Sequence, residues 1–514
     1  MNIRKTSWHL LLLGLVALGL RVPLLADQPY TDEGIYGATS YFIHLAYTGA
    51  LSAGGWILPK EGALSLYPLL TSWLFFLPWE PFFLLRLFDI IFAATAGIAF
   101  YRFLTVALND GLVALISAVF LILAMNHPIF INAGYKNPIL IAVTLTAFAL
   151  TSLHEGGAKA CFRAGLLMSG AVLFREPFLP MAVVVGLYAM TRCGWAGFVR
   201  FAAAGLMLAF GVVAIAVWLR GPGGLEGFLS SYFQFNSSIP YRTNLESVLK
   251  QGSIASRILL PLVPLVGIGL FAPLGRQTRN RESLELYSLG ILLALGPALE
   301  IWYKPAFPYH FSQSMLGLTI LFALGFRAAL QFVQSRYPSH KPAMIIFALF
   351  ALGGNLMLFH DYARQYYWQA VSAARFAPVM IAGNWQSEAT EWSIYLRAAR
   401  FIRENSPPSA SMMTEFVTVG LFPLTHRLPS AAGMGNLRVA VNRGDNVANT
   451  TAMKQLLDAP PDIFVLMQRP TIFQEGDHAF TLELTAHYLR RTDQERGLPP
   501  YGGWSTQIYL RQPK

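Results

Sequence analysis

The chain has 514 residues, 54% of them hydrophobic and 13% charged. Soluble proteins carry about a quarter charged residues, so this composition excludes a soluble enzyme and a disordered scaffold. Lys and Arg outnumber Asp and Glu by 38 to 27, a formal charge of +11, with no basic patch of the kind that binds nucleic acid. Two cysteines cannot build a disulfide framework.

A membrane crossing needs about 20 mostly apolar residues. The first such run is Trp8–Leu25, behind Arg4 and Lys5. The stretch from Arg21 to Ala26 lacks a small-x-small cleavage site, which favours an uncleaved signal anchor over a signal peptide. Leu66–Pro78 is apolar but short and reads as an interfacial or re-entrant helix. Further runs fall at Phe82–Ala107, Leu112–Met125, Pro138–Leu153, Ala164–Phe174, Phe178–Met190, Phe201–Leu219, Ile258–Leu274, Leu284–Trp302, Phe311–Phe326 and Ala343–Phe359. The reading is an α-helical polytopic membrane protein of about 11 spans.

Loop charges orient it. Arg4, Lys5, Lys159, Arg163, Arg192, Arg200, Arg276, Arg279, Arg281, Arg327, Arg336 and Lys341 fall in one set of loops. The long first loop on the other side, 27–81, holds Lys60 and no Arg. Under the positive-inside rule the N-terminus is cytoplasmic, and an odd number of spans places the C-terminus outside, in an inner (plasma) membrane. Cys161 and Cys193 then face the reducing side.

From about Asp361 charges become frequent and long apolar runs stop, which divides the chain into a membrane module, 1–360, and an extracytoplasmic domain, 361–514. Ser387–Asn405 reads as an amphipathic helix ended by Pro407–Pro408. Ser411–Val417, Asp462–Met467 and Trp504–Leu510 read as strands, and Ala452–Leu457 and Phe480–Arg491 as helices, giving a small α/β domain.

The first outer loop opens with Asp32-Glu33-Gly34-Ile35-Tyr36, and Tyr41 and His44 follow on a short helix. An acidic pair at a membrane face is costly to desolvate and is a functional candidate; a solvated helix N-terminus accounts for it equally well. Lys60, Arg86, Lys136, Arg175, Lys304 and His310 punctuate the outer ends of spans. Each alone is read as snorkelling to lipid phosphate, whereas the set on one face points to an anionic ligand. A carboxylate can take a proton from an acceptor hydroxyl while cations stabilise a phosphate leaving group. Transfer of a sugar from a lipid phosphate needs both.

The chain resembles integral-membrane glycosyltransferases of the GT-C fold, in the clan of the protein O-mannosyltransferases and aminoarabinose lipid A transferases (family 39). Asp32-Glu33-Gly34-Ile35-Tyr36 resembles that clan's loop motif, Tyr67-Pro68-Leu69-Leu70 its Pro-Leu segment, and Leu85-Arg86-Leu87 the opening of its second span. Phe174-Arg175-Glu176-Pro177 stands where relatives carry a basic residue before a Pro-bearing span, and Tyr309-His310 where many carry a basic-Tyr or Arg-Tyr pair. The resemblance implies Asp32 as base; together with the charge pattern it makes Asp32 and Glu33 the candidate catalytic residues and Tyr36, Lys60, Arg86, Lys136, Arg175, Lys304 and His310 the candidate substrate-binding residues. It implies a polyprenyl-phosphate-linked sugar donor, a glycolipid, glycan or protein acceptor, and inversion at the sugar. Asn132 to Asn137 holds no carboxylate where some relatives carry a second acid, so metal-independent transfer with no cofactor is expected. Two other readings stand beside it: a lipid-linked glycan transporter or flippase, and a polymerase or ligase of lipid-linked glycans.

Overall fold

In a computed structural model of the chain, the described residues are 3–22, 25, 31–50, 66–127, 137–220, 245–256, 263–271, 281–296, 308–336, 394–414, 420–430, 460–468, 488–493 and 505–511. The first helices are α1 (Ile3–Arg21), α2 (Thr31–Tyr47) and the short α3 (Leu66–Thr71), which a 3₁₀ turn continues through Ser72–Phe76. Then come α4 (Pro81–Leu108), α5 (Gly111–Met125), α6 (Asn137–Glu155), α7 (Ala158–Phe174) and α8 (Leu179–Arg220). After these follow α9 (Leu245–Ser256), α10 (Val263–Phe271), α11 (Arg281–Leu295) and α12 (Ser314–Arg336). Among the described residues, Pro81–Leu108, Pro138–Glu155 and His310–Arg336 are helical, long and apolar enough to cross a membrane, as is Glu176–Ile215 by length and composition, although Gly194 divides it into two arms; shorter apolar helices lie at Ser7–Arg21, Leu66–Phe76 and Gly111–Met125. The expected run Ala343–Phe359, both ends of Ile258–Leu274 and the last residues of Leu284–Trp302 lie outside the described residues.

Local chemistry sets the helix ends. Pro81 opens α4, and the Glu80 carboxylate accepts the Phe83 backbone N–H as its N-cap. Asn109 closes α4 in the left-handed region (φ 51°), and Asp110 Oδ1 then accepts the Leu112 and Val113 N–H groups at 3.1 Å each to start α5. Two residues thus make an antiparallel hairpin. Within α8 the chain breaks at Gly194 (φ 70°, ψ −175°). A Cβ on Gly186 would stand 3.1 Å from the Phe201 ring, although fifteen residues of straight helix would separate them by about 22 Å. The chain therefore doubles back at Gly194, and the two apolar runs Phe178–Met190 and Phe201–Leu219 are two arms of one hairpin.

Small residues let backbones close up where lipid gives no hydrophobic drive to helix association. A Cβ on Gly325 would meet the Leu265 carbonyl oxygen at 1.9 Å, and one on Gly269 would meet the Leu321 carbonyl oxygen at the same distance, so α10 and α12 pack antiparallel through glycine. Gly317 lies as close to Gly290 and Ala294 of α11, and Ser314 Oγ donates to the Ala294 carbonyl at 2.8 Å.

These contacts fix which helix ends share a side. His9 Nδ1 is 2.9 Å from Tyr101 Oη, and Arg21 pairs with Asp89, so α1 runs antiparallel to α4. Arg102 and Arg163 reach Glu155, and Arg192 reaches Glu285 at 3.3 Å, all at the far side. On the near side lie the end of α1, the starts of α4 and α6, the ends of α5 and α7, the start of α8, the end of α11 and the start of α12. The charged residues of the first group of loops lie on the far side wherever they are described.

The C-terminal part holds α13 (Ile394–Asn405), α14 (Leu421–Thr425), and a five-stranded sheet in the order β2-β1-β3-β5-β4. Its strands are β1 (Ser411–Thr414), β2 (Leu428–Pro429), β3 (Ile463–Gln468), β4 (Tyr488–Asp493) and β5 (Ser505–Arg511). β1 is parallel to β2 and β3, and β5 lies antiparallel between β3 and β4. The expected strands at Ser411, Asp462 and Trp504 are present. Of the expected helix Phe480–Arg491 the structure describes only the end, and that end is not helical: Tyr488–Asp493 forms an edge strand, each residue registered against β5 from Arg511 to Thr506. Sheet pairing with β5 overrides the helical periodicity of that short segment. The expected helix Ala452–Leu457 lies outside the described residues.

Candidate functional site

The near side of the bundle is capped by α2 and α3. Ser40 Oγ lies 2.8 Å from Thr71 Oγ1, both buried, and the rings of Tyr36 and Tyr67 meet edge to face at 5.8 Å. Gly37 lets α2 cross the start of α4, since a Cβ there would meet the Phe82 ring at 2.7 Å. The outer face of α2 carries the C-terminal domain: Phe42 meets Phe422 of α14 edge to face at 5.1 Å, and Tyr41 meets His426 at 5.8 Å. The apolar core is continuous from Ile35, Phe42 and Phe82 through Phe422 to Val465 and Ile508.

Buried charge collects beneath α2. Arg86 donates from Nε to Glu33 Oε1 and from Nη2 to Glu33 Oε2, both at 2.7 Å. Both residues are under one-tenth exposed, so the pair is a desolvated bidentate clamp between α2 and α4. Glu80 lies beside it. Burial pushes its carboxyl up to about 7, against the Phe83 N–H and the Arg86 charge, which both pull it down. One turn further along α4, Asp89 pairs with Arg21 at the end of α1. Arg86 and Asp89 are three residues apart and share one face of α4. His310 is buried in the 3₁₀ turn Pro308–Gln313 that leads into α12, and Arg175 is half-buried at the end of α7.

Where α2 meets the domain the chemistry is different. Arg427 donates from Nε to Ser406 Oγ at 3.0 Å, from Nη1 to the Thr425 carbonyl at 2.9 Å and from Nη2 to the Ser406 carbonyl at 2.7 Å. Arg403 donates to the Leu424 carbonyl at 2.6 Å. The two guanidinium groups therefore tie the C-terminal ends of α13 and α14 together. Desolvation, then the charges of Arg403, His44 and Arg427, hold His426 down at about 4, although part of its surface meets solvent. Desolvation also lowers His44, whose ring lies 4.4 Å from Phe76.

Of the residues singled out from sequence, Glu33, Tyr36, Arg86, Arg175 and His310 all fall on the near side of the bundle. Asp32 lies in the first turn of α2, its side chain outside the described residues, as are Lys60, Lys136 and Lys304. Arg21, Glu80 and Asp89 were missed. Arg21 and Glu80 are ionisable groups at the ends of apolar helices and Asp89 lies two turns inside one, and the rule that such groups are functional candidates applies to them as well as to Arg86. Among the described residues no three His, Cys, Asp or Glu side chains gather as a metal site.

Compared with known structures, the chain matches the crystal structure of ArnT from Cupriavidus metallidurans in the apo state over 99% of its length and 100% of that chain, with a TM-score of 0.55 and 13% identity. This chain has the GT-C fold. No family model matches it, and no curated protein matches it by sequence. On the near side of the bundle α2 meets α14 of the C-terminal part.

Proposed function

We propose that this protein is a membrane glycosyltransferase. It moves a sugar from a polyprenyl-phosphate donor to a hydroxyl of a glycolipid, envelope glycan or protein, on the extracytoplasmic side. The observation that carries this reading is the gathering of Glu33, Glu80, Arg86 and Asp89 beneath α2, the helix that carries Asp32, in a chain folded like ArnT along 99% of its length. In the proposed step the acceptor oxygen attacks the anomeric carbon as the bond from that carbon to the phosphate oxygen breaks. Asp32 takes the hydroxyl proton, the configuration inverts, and the polyprenyl phosphate leaves with the electron pair.

The Arg86 charge is already met by Glu33, so Arg86 is assigned to holding α2 in place, with Glu33 as its partner. The charge that builds on the leaving phosphate falls to Lys60, Lys136, Arg175, Lys304 and His310. The acceptor approaches from the side of α2 that carries the C-terminal domain. Substitution of Asp32→Asn keeps the shape and removes the basicity. Loss of transfer by about 100-fold or more is expected, with unchanged thermal unfolding. Wild-type turnover by Asp32→Asn would overturn the assignment. A radiolabelled donor separates the reading from transport, since a flippase moves the lipid-linked sugar intact and a transferase splits it. Product size separates it from a polymerase or ligase.

A further inference from the structure

Two of the near-side arginines, Arg86 and Arg21, pair with a carboxylate, and they differ in one respect. Arg86 uses the side-on fork of its guanidinium, Nε and Nη2, to grip both oxygens of Glu33. Arg21 pairs with Asp89 through Nη1, and its own Nε and Nη2 are buried with no hydrogen-bond partner among the described residues. The residue is 3% exposed. A basic side chain in the last turn of a helix ordinarily caps that helix's free carbonyls or reaches water, and Arg21 does neither with this fork. Buried donors are nearly always satisfied, so an empty fork calls for an acceptor.

We infer that the Nε/Nη2 fork of Arg21 is a binding site for a lipid phosphodiester. Two coplanar N–H groups match two oxygens of a phosphate, as the Arg86 fork matches a carboxylate. Asp89 sets the charge of the occupant. The Arg21–Asp89 and Arg86–Glu33 pairs are each neutral, so an incoming anion adds uncompensated negative charge beside Asp89. A singly charged diester is favoured there over a doubly charged monoester. This deepens the transferase reading and rests on it for one of two sources of the ligand. The donor is a phosphodiester, so the fork holds it as it enters, before transfer; the charge of the departing phosphate is met by the cations named above and not by Arg21. Ordinary phospholipid is the other source. The fork is sealed in this state, so binding displaces what covers it.

The test uses full-length protein in a phosphate-free detergent, with binding read by native mass spectrometry. The probes are a farnesyl phosphodiester of a sugar, short-chain phosphatidylglycerol, farnesyl monophosphate and farnesol. Wild type is expected to prefer the diesters to the monoester. Arg21→Lys keeps the charge and loses the fork, and is expected to bind the diesters roughly tenfold or more weakly with farnesol unchanged. Asp89→Asn is expected to raise monoester binding and erase the preference. Retention of the sugar diester in preference to phosphatidylglycerol identifies the donor, and the reverse identifies bulk lipid; either supports the site. Diester binding by Arg21→Lys equal to wild type overturns it, as does an unchanged preference in Asp89→Asn. Diester binding lost in Arg21→Lys by a protein that transfers no sugar would leave the site standing and sink the reaction, whereas intact transfer with unchanged binding sinks the site alone.

Discussion

Arg86 holds both carboxylate oxygens of Glu33 at 2.7 Å across 53 residues of sequence, and so fixes α2 over the head of α4. Breaking a buried pair from one side strands a charge. Glu33→Gln or Arg86→Gln is each expected to cost about 3–5 kcal/mol, with the double variant recovering part of the loss. Thermal unfolding of the four proteins in one detergent measures the coupling. Additive losses would show that the pair does not act as one.

Glu80 gives a pH signature. Its carboxyl titrates at about 7 in the fold, against an ordinary value of 4.5, so the folded state binds the proton more tightly. The associated stability is fully present below about pH 4.5 and is lost as pH rises through 7, by about 3 kcal/mol in all. Glu80→Gln keeps an oxygen acceptor for the Phe83 N–H and is expected to flatten this fall between pH 5 and 8. An equal slope in wild type and variant would exclude Glu80 as its origin.

His426 works in the opposite sense. Its pKa of about 4 lies below the ordinary 6.5, so the fold favours the neutral ring. Its contribution is present above pH 6.5 and is lost as pH falls towards 4. Acidification is expected to loosen the contact between α14 and α2, read as faster proteolysis of the C-terminal domain. His426→Phe, which keeps a ring against Tyr41, is expected to reduce the acid sensitivity, and His44, lowered in the same sense, supplies the remainder.

Phe422 anchors the same contact from the apolar side. Phe422→Ala removes a fully buried ring, with an expected loss of about 3–5 kcal/mol. The readout is release of the domain from α2 in limited proteolysis, with the membrane helices still protected.

Gly325 and Gly269 set the spacing of α10 and α12. Gly325→Ala places a methyl group 1.9 Å from the Leu265 carbonyl oxygen, so the helices must part. A loss of roughly 1–3 kcal/mol is expected in detergent unfolding. No loss would mean that the two helices slide freely.

Sequence by itself determined the helical membrane class, most element positions and the gathering of charge at one side. Crossing lipid demands about 20 apolar residues per span, and turn chemistry at Asn109–Asp110 and Gly194 is local, so both are written in consecutive residues. The strands at Ser411, Asp462 and Trp504 were legible for the same reason, from short β-branched and aromatic runs. Tertiary structure alone decided which charges are spent and which are not. Glu33 and Arg86, like Arg21 and Asp89, are remote in sequence, and only the antiparallel packing of α1, α2 and α4 makes one arginine a clamp and leaves the other with an empty fork. Tyr488–Asp493 follows the same logic: its periodicity is helical in isolation, and only a partner strand seventeen residues on makes it an edge of the sheet. Pair formation depends on distance in space, which a linear pattern does not carry.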